Sequence, residues 1–301
     1  MNKRLKKKLF GALVRNARSL GYKIGAIFPP TLTIASDDTI IDVAIPCVSK
    51  DFDILPLCIE GILNNVVNPV NHIYVITPDV DKLDKSLICK YNGIKFIDER
   101  EIMGFGASEL KDLLPECKFN RAGWIYQQLL KLSGRIGYEE NILFIDSDHI
   151  LIRPHVFIDK NGCVVFYRSE EAYYPYYENI HRLMGRFPIS RFSYVAHKMI
   201  FNKTALHRIR ENLGGETIGC SGFAKWIEVI CKSLDWNLTD MPFSEFELYG
   251  NEFPNNKKRF ILWRQKTLST LHSKMTYPDI VNMYGKKYLS VTFPAYLKSK
   301  E

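Results

Sequence analysis

Long apolar runs are missing from this 301-residue chain. No stretch approaches the roughly 20 apolar residues that a membrane-spanning helix needs, and the longest near the start, residues 9–14, is cut by Arg15. Neither a spanning segment nor a signal peptide is expected. Paired cysteines are missing too: Cys47, Cys58, Cys89, Cys117, Cys163, Cys220 and Cys231 are odd in number, scattered and never spaced Cys-x-x-Cys. They read as reduced thiols in a cytosolic protein, which sets aside a disulfide framework and a cysteine zinc site. There is no internal repeat and no low-complexity tract, and 46% hydrophobic with 25% charged residues is globular composition, not that of a disordered chain.

Acid is absent from residues 1–36, which hold eight bases: Lys3, Arg4, Lys6, Lys7, Lys8, Arg15, Arg18 and Lys23. The other 33 bases then equal the 33 acids, so the net charge of +8 belongs to one end. A neutral body gives no support to a nucleic-acid partner. In the basic segment Leu5, Leu9, Leu13, Ala17 and Leu20 recur at helical spacing. Two readings stand. Residues 1–20 form an interfacial helix on an anionic membrane, where each basic residue contributes roughly 1 kcal/mol, or a solvated helix packs its apolar stripe on the body.

Pro29, Pro30 and the polar run 36–39 mark the entry into the main unit. The expected division is a basic amphipathic segment over 1–36 and one domain over 37–301. Residues 41–48, 72–77, 94–97 and 142–145 read as strands, and 54–67 and 121–132 as helices. Alternation at this pitch predicts an α/β architecture, a mainly parallel sheet flanked by helices with its ligand site at the strand carboxyl ends. Later, 164–167, 194–201 and 288–293 read as strands, and 203–213 and 223–234 as helices.

Asn-Ile-Leu-Phe-Ile-Asp-Ser-Asp-His at residues 141–149 is an apolar strand running straight into two carboxylates. Residues two apart in extended chain point to one side, so Asp146 and Asp148 can converge on one hard cation with Ser147 turned away. Oxygen donors of this kind suit Mg²⁺ or Mn²⁺. The plainer reading is a strand end and turn, where Asp and Ser are favoured anyway.

With its neighbours this triplet resembles the GT-A class of nucleotide-sugar glycosyltransferases, which carry an Asp-x-Asp at the end of a central strand of a Rossmann-like sheet. The chain looks particularly like a bacterial family known mostly from surface-polysaccharide gene clusters. The likeness rests on Asp-Val-Ala-Ile-Pro (42–46) with Lys50-Asp51, Gly-Trp-Ile-Tyr-Gln-Gln-Leu-Leu-Lys (123–131), Phe-Ile-Asp-Ser-Asp (144–148) with Arg153-Pro154, Ala-His-Lys-Met (196–199) and Ser-Glu-Phe-Glu-Leu-Tyr-Gly (244–250). It spans roughly residues 40–253.

The resemblance implies a GT-A fold, to which the basic N-terminal helix read from spacing is an appendage, and transfer of a sugar from a nucleotide-diphosphate donor to a glycan or lipid-linked acceptor. It places the nucleotide at Pro46, Val48, Ser49, Lys50 and Asp51, and reaches the pyrophosphate or sugar with Gln127, Lys131 and Asp146. Asp146 and Asp148 would hold the metal, Mn²⁺ or Mg²⁺. Residues 49–53 also read as a helix start capped by Ser49 or Asp51, and Gln127 with Lys131 as an amphipathic helix face. Glu245, Glu247 and His197 are the candidates to deprotonate the acceptor. Glu245 ranks ahead because Ser244 and Glu247 make a capping box, while His197 reads equally well as a buried hydrogen-bonded imidazole.

The family pattern of a late histidine ligand is not met: Leu-Ser-Val-Thr-Phe-Pro (289–294) has none after it, and His272 lies in a weakly matching region. Tyr173, Tyr174, Tyr176 and Tyr177 read as an acceptor platform or as loop packing. Two rivals remain. A nucleotidyltransferase would use similar carboxylates, but residues 45–53 lack the glycine of a triphosphate loop. A non-catalytic membrane-associated adaptor would need only the basic segment. A cytoplasmic location is expected, with peripheral attachment to the inner face of the plasma membrane if residues 1–20 bind lipid.

Overall fold

The apolar runs of the first half fold as parallel strands because elements cover them on both faces. In the computed structural model, residues 20, 34–84, 91, 93–169, 173–188, 193–262, 265–267 and 275–294 are described. Most of the basic segment, with its expected helix, lies outside them, as do Cys89 and His272. In chain order come β1 (Ile41–Pro46), α1 (Leu55–Asn65), β2 (Val70–Thr77), β3 (Ile94–Asp98), α2 (Glu99–Met103), α3 (Ala122–Leu132), β4 (Asn141–Ile145) and β5 (His149–Leu151). Then follow β6 (Val164–Arg168), α4 (Tyr174–Met184), β7 (Lys198–Asn202), α5 (Lys203–Asn212), α6 (Lys225–Ser233) and α7 (Glu245–Glu252). Strands β8 (Lys258–Leu262) and β9 (Gln265–Thr267), helix α8 (Tyr277–Tyr284) and β10 (Ser290–Thr292) complete the described chain.

The main sheet has the order β3-β2-β1-β4-β7. Its first four strands run parallel, and β7 is antiparallel to β4. Strand order therefore reverses between β1 and β4, and in open α/β sheets such a reversal leaves a crevice at the strand carboxyl ends. Every residue of β1 is buried, Asp42 included. That carboxylate is satisfied by the backbone N–H groups of His72 (3.2 Å), Tyr138 (2.7 Å) and Glu139 (2.9 Å). Gly137 makes this possible, since it sits at φ 68° and any side chain there would run into Asp42 Oδ2.

A smaller sheet, β5-β10-β9, lies beside the first. Gly61 of α1 has no Cβ to hold the helix away, and one placed there would stand 2.8 Å from Leu151 O. Helix α1 therefore lies directly on β5. Asn65 locks the contact, donating to Gly61 O at 3.0 Å and Leu151 O at 2.9 Å.

The expected elements appear with ends shifted by one or two residues, with one exception. Residues 194–197 do not continue β7 backwards. His197 adopts φ 56°, a left-handed conformation that breaks an extended chain, and its carbonyl accepts from Asp146 N at 2.9 Å. Helix α4 was not expected, because Tyr-Pro-Tyr-Tyr reads as loop. Pro175 instead fills one of the first two helix positions, where its missing N–H has no intrahelical partner to lose. The tyrosines thus open a helix, with Tyr173 and Tyr176 edge-to-face at 4.9 Å. Six cysteines are free thiols among the described residues.

Candidate active site

The crevice between β1 and β4 is lined by two turns. The one after β1 is a single 3-10 turn, Ser49–Asp51, and neither it nor α1 has a side-chain cap. The expected capping by Ser49 or Asp51 is not found, because α1 starts later, behind Ile54, with Pro56 in its first turn. Val48, Ser49 and Lys50 are exposed, whereas Pro46 is buried and pairs with Ile76. Asp51 is buried and accepts from Ser147 Oγ at 3.3 Å. Ser147 therefore faces inward, as alternation predicts, and ties the two turns together.

On the second turn Asp146 and Asp148 have different surroundings. Asp146 Oδ1 accepts from Lys131 Nζ at 2.7 Å, and Oδ2 meets His197 Nδ1 at 3.0 Å. Burial opposes ionisation of Asp146, but Lys131 and His197 outweigh it and hold the carboxyl well below its usual range. At Asp148 burial, reinforced by the charge of Asp146, outweighs the opposing pull of His197 and pushes the carboxyl up to about 6.

Lys131 corrects the picture of a surface lysine on an amphipathic helix. It is 3% exposed, bonds Asp146 at 2.7 Å and Glu245 at 2.9 Å, and sits 4.4 Å over the Phe246 ring. Burial alone would lower its pKa; the two carboxylates more than reverse that and raise it. Gln127 stays half-buried, and the glutamine that reaches across is Gln128, whose Oε1 accepts from Glu245 N at 3.3 Å.

The two glutamates of α7 project differently, as helical spacing requires. Glu245 joins the Lys131 ion pair. Glu247 accepts from Ser193 Oγ at 2.5 Å, Tyr194 N at 3.1 Å and Asn251 Nδ2 at 3.1 Å, so it fastens the chain before His197 and is not brought to Asp146. Ser244 caps α7 by accepting from Glu247 N at 3.3 Å. His197 is 29% exposed beside Asp146, which leaves its imidazole within reach of the crevice.

A metal centre can be tested against this donor set. Among the described residues no group of three or more His, Cys, Asp or Glu side chains gathers to hold a metal. Two carboxylates are what remains, one already engaged by Lys131 and His197 and one left with its charge disfavoured. That set fits Mg²⁺ or Mn²⁺, which need one or two carboxylates when water and substrate phosphate fill the other positions; it does not fit a closed structural site.

The rim carries a further acid that the sequence did not single out. Glu99, at the carboxyl end of β3, is pushed up to about 7 by burial and by its neighbour Asp98. A raised carboxyl contributes stability that is complete below its ordinary pKa near 4.5 and is lost as pH rises through 7. Glu99→Gln should therefore match the wild type in thermal unfolding at pH 4 and exceed it by on the order of 1–3 kcal/mol at pH 8. Equal stability at pH 8 would remove the assigned shift.

The sheet order reverses beside a paired-carboxylate turn, the position at which open α/β sheets bind their ligands. The chain belongs to a family of unknown function, DUF6492, whose model matches residues 57–295. No curated protein matches it. Among solved structures it is similar to the galactosyltransferase LgtC in complex with donor and acceptor sugar analogues, at 10% identity and TM-score 0.46, covering 84% of this chain and 86% of that one. It is also similar to mouse xyloside xylosyltransferase 1 in its apo form, at 10% identity and TM-score 0.48, covering 86% and 99%. A third similarity is to the bifunctional glycosyltransferase WbbM, apo, at 12% identity and TM-score 0.47, covering 89% of this chain and 47% of that one.

Proposed function

We propose that this protein is a GT-A-type glycosyltransferase that moves a sugar from a nucleotide-diphosphate donor to a glycan or lipid-linked acceptor in bacterial surface-polysaccharide synthesis. The observation that carries the proposal is the position of Asp146 and Asp148. They follow β4 at the point where strand order reverses, joined through Ser147 to the turn after β1. The motifs that resemble the bacterial family supply the acceptor class.

Breaking the bond between sugar and diphosphate leaves negative charge on the leaving group. Mg²⁺ or Mn²⁺ held by Asp148, with Asp146 beside it, would supply Lewis-acid stabilisation of that charge. The exposed Ser49 and Lys50 line the nucleotide side of the crevice. Asp146, fixed by Lys131 and His197, is an oriented acceptor for donor hydroxyls. His197 is the group placed to take the acceptor proton, because Glu245 is sealed against Lys131 and Glu247 is bonded elsewhere. Residues 1–20 would bring the enzyme to anionic lipid on the cytoplasmic leaflet as a peripheral protein. No helix among the described residues is long and apolar enough to cross a membrane.

A thermal-shift panel tests the proposal. UDP-, GDP- and dTDP-sugars and their diphosphates are each added at about 100 times a typical Kd, with and without Mn²⁺. Ligation of the native state at that level raises stability by about 2.7 kcal/mol, so one nucleotide should raise the midpoint by several degrees only when Mn²⁺ is present. No shift with any of them removes the transferase reading.

A further inference from the structure

Behind Asp148 and His197 lies a polar cluster that the sugar-transfer reading leaves unused. Its members are the very next residues in the chain, His149 and Lys198, buried to 0% and 1% exposure. His149 Nδ1 stands 2.6 Å from Thr292 Oγ1, and its Nε2 stands 3.1 Å from Lys198 Nζ. Lys198 Nζ also reaches Ser290 Oγ at 3.4 Å and lies 5.1 Å over the Tyr167 ring. The His149 ring is stacked on that of His197, with centroids 5.7 Å apart and planes at 21°.

Two donor patterns satisfy the cluster. Where the Lys198 amine donates to Nε2, the ring proton sits on Nδ1 and is given to the Thr292 hydroxyl; where Nε2 carries the proton, the hydroxyl donates to Nδ1. Thr292 and Ser290 belong to β10, and the next residue, Phe293, donates its N–H to Asp148 O at 3.0 Å. One closing strand thus braces the Asp148 turn through its backbone and the His149 ring through a hydroxyl. The ring in turn supports His197, whose left-handed backbone has an unfavourable intrinsic conformation that its surroundings must maintain.

We propose that His149 and Lys198 are positioning residues, an imidazole–amine brace anchored on β10 that sets the His197 ring against Asp146 and fixes the Asp148 turn. The effect on turnover rests on the sugar-transfer reading, whereas the effect on the His197 ring does not.

Lys198→Met keeps the length and apolar stem of the side chain and removes only the amine; Thr292→Val does the same for the hydroxyl at the other end. Each full-length variant is compared with wild type by unfolding midpoint, by histidine ring ¹H–¹⁵N spectra, and by kcat and KM for hydrolysis or transfer of the UDP-, GDP- and dTDP-sugars above. Lys198→Met should shift the His197 ring signals and lower kcat by about 10- to 100-fold, with KM for the donor within about 2-fold, as a small misplacement of a reacting group does. A midpoint that falls while kcat and the His197 signals stay unchanged would make the cluster merely structural and overturn the inference. Absence of wild-type turnover removes the transferase reading alone, and the His197 signals then decide: unchanged in both variants, they overturn the brace.

Discussion

Asp148→Asn should lower sugar-transfer kcat by at least about 100-fold, the scale on which removal of one aimed electrostatic group acts, and should at the same time make the metal-free protein more stable above pH 6. Both effects have one origin. Burial, and after it the negative charge of Asp146, lifts the Asp148 carboxyl from 3.8 to about 6, so the folded protein holds this proton more tightly than the unfolded chain. The contribution to stability is complete below pH 4 and is lost as pH rises through 6. An amide does not titrate. The variant should therefore match the wild type at pH 3.5 to 4 and exceed it at pH 8 by up to about 3 kcal/mol, the equivalent of the shift. Mn²⁺ should narrow that gap by stabilising the wild type and not the variant. Unfolding midpoints at the two pH values, with and without Mn²⁺, alongside initial rates, check the prediction. A variant that loses turnover without gaining stability would mean that Asp148 is not held in conflict with its surroundings. Such a conflict between stability and function is common at sites built for charge.

What the sequence displays and what it hides follow from how each part is stabilised. Strands β1, β2 and β4 are legible because a buried parallel strand has to be an unbroken apolar run, and the parallel sheet follows from their alternation with helices. The Asp-Ser-Asp turn is legible because it interrupts such a run with charge. The surroundings of that turn are not. Lys131 on α3 looks like the solvated edge of an amphipathic helix, and only the tertiary approach of Asp146 and Glu245 draws it inside. Gln127 and Gln128 are indistinguishable as text, and the packing of α7 selects Gln128. The left-handed backbone of His197 leaves only a weak trace in residue type, since histidine enters that region more often than most residues but far less readily than glycine. A signal was nonetheless present for the second cluster. Lys198 precedes Met-Ile-Phe and His149 precedes Ile-Leu-Ile, each a polar residue opening a buried strand, and such residues are retained only with polar partners.

Lys131→Met is expected to have the largest effect on the fold itself. The lysine ammonium lies between Asp146 Oδ1 at 2.7 Å and Glu245 Oε1 at 2.9 Å, and it is the point at which α3, the end of β4 and the start of α7 meet. Removing one member of a buried charge network leaves the others uncompensated, which costs about 3–5 kcal/mol, far more than an exposed pair would. In a chain of this size that loss should lower the unfolding midpoint by roughly 5–8 °C. The methionine fills the volume and can still touch Phe246, so lost packing contributes little. The diagnostic is the second variant. If repulsion between stranded carboxylates is the cause, Lys131→Met combined with Glu245→Gln should recover a large part of the loss, because only Asp146 then remains to be compensated and His197 is already bonded to it at 3.0 Å. A double variant no more stable than the single one would show that Lys131 acts through shape and not charge. Turnover should stay low in both, since Asp146 keeps its orientation only while both oxygens are held. A recovered midpoint with turnover still depressed would separate the role of Lys131 in holding the sheet edge together from its role in aiming Asp146 at a donor.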